Sequence, residues 1–79
     1  MKKVIKKRVL ECVIEQQKNI EYGKMFPHDF DLKLSKSIEL REKYNDIIPL
    51  TSEMKQDALD YINALSIEDY EKCNNFLIE

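Results

Sequence analysis

Between Val4 and Tyr22 the apolar residues fall at Val4, Ile5, Val9, Leu10, Cys12, Val13, Ile14 and Ile20, with Lys7, Glu11, Glu15 and Lys18 between them. That spacing fits a 3.6-residue period better than alternation and predicts an amphipathic helix. The β-branched residues within 9–14 make a strand the competing reading there. Gly23, the sole glycine, stands where a C′ residue ends a helix, and Pro27 blocks resumption. This first helix is therefore expected to stop near residue 22.

Residues 29–34 alternate polar and apolar, but a lone strand without a partner cannot satisfy its backbone, so a loop entering a helix is the expectation. Phe30, Leu34, Ile38, Tyr44 and Ile48 then recur at helical spacing or its multiples, and Glu39 precedes Lys43 in the favourable i,i+4 order. A second helix is predicted over about 31–46, capped by Asp31 or Ser35 and ended by Pro49. Thr51 is a good N-cap for a third, with Glu53 in its first turn and Met54, Ala58, Tyr61, Ile62 and Leu65 in one stripe. Ser66, Ile67, Glu68 and Asp69 read as a near capping box opening a fourth, with Ile67, Tyr70, Cys73 and Phe76 or Leu77 on one side. The expected fold is all-α: one small domain over 1–79, three to four short helices in αα-hairpins around a single thin core.

Size narrows the function classes. A chain of 79 residues buries only about 60% of the surface it exposes when unfolded, which leaves little material for a self-contained reaction site. An apolar fraction of 43% is too high for a disordered chain, and no run reaches the length of a bilayer span. The basic start resembles the first part of an export signal, but Glu11 and Glu15 interrupt the apolar stretch after it. A cytoplasmic protein without membrane association is expected.

Charge is unevenly placed. Residues 1–8 carry Lys2, Lys3, Lys6, Lys7 and Arg8 without an acid, whereas residues 51–79 carry seven acids against Lys55 and Lys72. Cations at the start of a helix oppose its macrodipole, so this head is expected either to fray or to be held by anions. Glu53, Asp57 and Asp60 have no cation at helical spacing within their own segment. They are either a solvated face or the mate of cations elsewhere: the head of the same chain, a second copy, or a basic partner.

Candidate chemistry is sparse. The single histidine, His28, lies between Pro27 and Asp29 and reads as a solvated loop residue. Cys12 and Cys73 read as small apolar-face residues, reduced in a cytoplasmic setting. No glycine-rich phosphate loop and no metal-ligand spacing occurs. No enzymatic activity, cofactor or metal is expected.

The sequence points to a small regulatory or inhibitory protein that occupies a surface of a larger protein. One version is an acidic, phage-type inhibitor that competes with nucleic acid for a basic groove. Glu53, Asp57, Asp60, Glu68, Asp69 and Glu71 are the candidate partner surface. One alternative is a nucleic-acid-binding regulator that contacts phosphate through Lys2, Lys3, Lys6, Lys7 and Arg8; another is a structural subunit of an assembly. The broad apolar face of Val9, Leu10, Val13 and Ile14 is the expected seam of a homodimer.

Overall fold

The computed structural model describes residues 2–66 and 70–79. It is mostly helical, with one small strand pair. Strand β1 (Lys3–Ile5) leads into helix α1 (Lys7–Met25); α2 (Phe30–Lys43), α3 (Ser52–Ser66) and the short α4 (Tyr70–Asn74) follow, and strand β2 (Phe76–Ile78) closes the order.

The strand pair corrects two expectations. The sequence pattern places Val4 and Ile5 at the start of the first helix and Phe76 or Leu77 on the fourth, yet Lys3–Ile5 and Phe76–Ile78 pair in parallel with Val4 opposite Leu77. Lys3 N–H donates to Asn75 C=O at 2.8 Å and Glu79 N–H donates to Ile5 C=O at 3.0 Å. The Lys7 N–H, one of the orphan donors of α1, donates to Glu79 C=O. Local periodicity does not reveal this, because the partner that satisfies each strand lies at the other end of the sequence. Within the head, Lys3–Ile5 thus form a strand and the helix begins only at Lys7.

Ile5, Val9 and Val13 follow one another at four-residue spacing across the β1–α1 junction and are buried with Ala58 of α3. Leu10, Ile47, Leu50, Met54, Ile62 and Phe76 pack around that cluster. Burying a valine side chain such as Val13 contributes about 2 kcal/mol. The small side chains of Ala58 and Ala64, both buried, let α3 approach closely. Tyr61 and Phe76 meet edge to face at 5.8 Å and fasten β2 to α3.

Two of the predicted helix boundaries move. Helix α1 passes through Gly23 and ends at Met25, with the Phe26 N–H donating to Tyr22 C=O; Gly23 has no positive φ, so its position is ordinary helix. Asp29, not Asp31 or Ser35, caps α2, accepting from Leu32 N–H at 2.9 Å. Thr51 caps α3 as expected, accepting from Met54 N–H at 3.1 Å. Of the capping box expected at Ser66–Asp69, Ser66 is the last residue of α3 and residues 67–69 lie outside the described residues. The Ile48–Pro49 peptide between α2 and α3 is cis.

The Cα atoms span 43 × 28 × 16 Å. Two stacked helices, each with a Cα radius of about 2.3 Å and axes about 9 Å apart, already fill the shortest of these dimensions. In a slab two helices deep, every helix has its back to solvent. Helix α2 rests chiefly on α1 and has no buried residue.

Candidate functional site

The acidic surface is partly spent within the chain. Lys3 Nζ lies 3.0 Å from Asp57 Oδ1, so the head supplies the cation that Asp57 does not find at helical spacing within α3. That hydrogen bond, helped by the charge of Asp57, raises the Lys3 ammonium above the ordinary lysine value. Asp60 accepts from Gln56 Nε2 at 2.9 Å, an i,i+4 contact. Glu53 and Glu71 are exposed. Glu68 and Asp69 lie outside the described residues, so the structure does not bring the six acids together as one surface.

Arg8, the second spent cation of the head, joins a charged knot between α1 and the end of α2. Its Nε and Nη2 donate to the two carboxylate oxygens of Asp46 at 3.2 and 2.8 Å, and Nη2 also donates to Lys43 C=O at 2.7 Å. The guanidinium lies 5.1 Å from the centroid of Tyr44, the largest fully buried side chain. Lys43 Nζ donates to Glu15 Oε1 at 2.6 Å. The Arg8 hydrogen bond holds the Asp46 carboxyl below the usual aspartate value, and the Lys43 hydrogen bond does the same for Glu15 against the opposing effect of burial. Burial, then hydrogen bonding to Glu15, pushes the Tyr44 phenol up. Lys2, Lys6 and Lys7 are exposed and have no ion pair among the described residues.

The expected dimer seam on α1 is not open. Val9 and Val13 are buried inside the monomer, Leu10 packs against them, and Ile14 lines a shallow groove beside α3 with Tyr22, Met25 and Ile62. Strands β1 and β2, with α3, cover what sequence alone leaves uncovered.

Apolar surface is exposed elsewhere. Phe30, Leu34 and Ile38, which recur at helical spacing in the sequence, are 74%, 61% and 47% exposed and form one row along the outside of α2. Met25 and Phe26, at 71% and 44%, extend the row across the α1–α2 corner. The side of α2 turned to α1 carries Leu32, Lys36, Leu40 and Lys43, half of it charged. It packs because the lysines lie along apolar surface and keep their ammonium groups wet: Lys36 Nζ sits 4.7 Å from the Tyr22 centroid, and Lys43 reaches Glu15. The signal available in the sequence was that α2 has two apolar rows, Phe30–Leu34–Ile38 and Leu32–Leu40, and only one can face inward.

At the corner, Met25 to Asp31 form a shallow open depression that includes His28, exposed as expected of a loop histidine. Cys12 is buried and Cys73 half-buried; both are free thiols, and burial raises the Cys12 pKa. Among the described residues no group of three His, Cys, Asp or Glu side chains is placed to hold a metal ion, and no helix is long and apolar enough to cross a membrane.

In comparisons with known proteins, no family model matches this chain, and neither a curated protein nor a solved structure matches it significantly.

Proposed function

We propose that this chain is a small protein-binding module that docks through the outer face of α2. The row of Phe30, Leu34 and Ile38 carries the reading. Three large apolar side chains, and two more at the corner, are held out to water on a helix with no fully buried residue. Taking about 200 Å² for each large side chain, the exposed portions amount to on the order of 500 Å². The largest apolar patch on an ordinary small monomer covers about 300–600 Å² and is often functional, so a row of this size on one helix supports a contact surface.

A regulatory or inhibitory role in the cytoplasm, exerted by covering a surface of a larger protein, fits such a module, with the acids of α3 as a polar rim. Asp57 is already engaged by Lys3, so the weight of recognition moves from the acidic stripe to α2. Nucleic-acid binding through the head has less support, since Lys3 and Arg8 are committed to Asp57 and Asp46.

Site-specific photo-crosslinking in the producing cell tests the reading. A benzophenone side chain at Leu34 is expected to give discrete protein adducts that the same probe at Lys7 does not, and an added Ile38→Glu substitution should suppress them. Equal labelling from both positions would contradict it.

A further inference from the structure

Strand β1 is paired on one side only. Lys3 N–H and Ile5 C=O bond Asn75 and Glu79, and the Lys7 N–H returns to the same side, donating to Glu79 C=O. Successive residues of a strand turn their peptide groups to opposite sides, so the N–H and C=O of Val4 and the N–H of Lys6 point to the other edge. Among the described residues nothing pairs with these three groups. Along this edge runs a groove of about 330 Å³, lined by Val4, Ile5, Lys6 and Val9 and, across it, by Glu53 and Met54 of α3. Three consecutive residues of an extended chain share a groove only along its edge, because their side chains alternate in direction.

Ile5 is buried and Lys3 turns to Asp57, so the alternate residues Lys2, Val4 and Lys6 share the outer face of the sheet. Val4 is 53% exposed there, beside Leu77 at 47%. Lys2 and Lys6 are exposed and have no ion pair among the described residues. An edge that offers both donors and an acceptor is matched by extended backbone, whereas a phosphate only accepts and leaves Val4 C=O unmet.

We propose that the free edge of β1 takes an acidic extended segment of a partner protein as a third strand. Residues of that segment opposite Lys2 and Lys6 are acids, and the residues opposite Lys3 and Ile5 are apolar and enter the groove over Met54 and Val9. The pattern reads the same in either strand direction. A second copy is a poor occupant. The antiparallel register that uses the whole edge centres on Val4, and it sets Lys2 of each copy opposite Lys6 of the other, like charge to like charge. Lysines beside a short edge strand guard it against its own kind, and here they leave an opposite charge admissible. Occupation of this edge does not depend on the face of α2.

Titration of the whole chain with a blocked peptide, Gly-Glu-Val-Thr-Val-Glu-Gly, tests this. Nuclear magnetic resonance should show saturable shifts at the Val4 and Lys6 amides with a Kd on the order of 100 µM to 1 mM. Hydrogen exchange of the Val4 N–H should slow by about threefold or more at saturation. The same peptide N-methylated at its three central residues keeps both charges but loses its donors, and should bind at least about tenfold more weakly. Lys2→Glu with Lys6→Glu should weaken the acidic peptide by about tenfold and admit one with lysine in place of glutamate. Val4→Pro removes an N–H that the chain itself leaves unused, so β1–β2 pairing should persist while binding falls. No shift at Val4 up to about 2 mM peptide overturns the proposal. So does equal binding of the N-methylated peptide, or tighter binding of a single-stranded oligonucleotide at the same residues, since charge alone would then account for the contact. Slowed exchange at Val4 in the chain alone as its concentration rises would place a second copy on the edge and also overturn it.

Discussion

Arg8 and Asp46, separated by 38 residues, meet as a fork on a carboxylate, with Nε and Nη2 at 3.2 and 2.8 Å from the two oxygens. The pair joins the first turn of α1 to the turn after α2, and the same guanidinium reaches Lys43 C=O and the Tyr44 ring. Helix α1 starts without a side-chain cap and without an acid in its first turn. Its N-terminal end is secured from outside the helix, by Glu79 C=O on the Lys7 N–H and by Asp46 beside Arg8.

Acid should therefore loosen the α1–α2 contact. Asp46 and Glu15 both have folded-state pKa values below their ordinary ones, the first through Arg8 and the second through Lys43. Depressed carboxyls contribute stability that is complete above the unfolded pKa values, about 4 for these groups, and is lost as pH falls through the folded values. Thermal melts at descending pH should be level to about pH 5 and decline below about pH 4. Asp46→Asn should lower the neutral-pH melt and flatten the acid decline; an acid decline as steep as that of the parent chain would mean that the pair contributes little.

Gly23→Ala should raise stability by about 0.5–1 kcal/mol, since alanine costs less conformational entropy than glycine inside a helix. The added methyl meets only the flexible end of Lys33, at 3.4 Å from its Cε. Were the helix to end at residue 22 with Gly23 in the left-handed region, the same substitution would destabilise. Equilibrium denaturation distinguishes the two signs.

Asp29→Ala and Thr51→Ala should each cost about 1 kcal/mol, because each removes the acceptor for a helix N-terminal N–H. Asp31→Ala should cost less, as Asp31 sits in the first turn and interacts with the helix dipole alone. Urea midpoints of the three variants rank them, and a larger loss for Asp31 than for Asp29 would put the cap where the sequence pattern first suggested.

What sequence shows of this fold follows from the range of each interaction. The cap at Thr51 and the helix behind it are legible because donor, acceptor and apolar stripe lie within one turn of each other. The β1–β2 pair is not, because Lys3–Ile5 and Phe76–Ile78 gain their hydrogen bonds only after the helices have brought the two ends together. Cations of the head needing anions was legible, and Asp57 and Asp46 supply them; which acids would do so depends on the packing of α1 against α3 and on the turn after α2. The orientation of α2 was ambiguous in principle, since Phe30–Leu34–Ile38 is the more apolar row. The less apolar one faces inward, with Leu32 and Leu40 half-buried and Lys36 and Lys43 beside Tyr22 and Glu15.

Docking through α2 depends on the outward orientation of its apolar row, and denaturation of Leu34→Glu tests that orientation most directly. With Leu34 in water, the midpoint should stay within about 0.5 kcal/mol of the parent chain. A loss of about 3 kcal/mol or more, the cost of placing a carboxylate where a core leucine stood, would show that the row faces inward and that α2 offers no docking face.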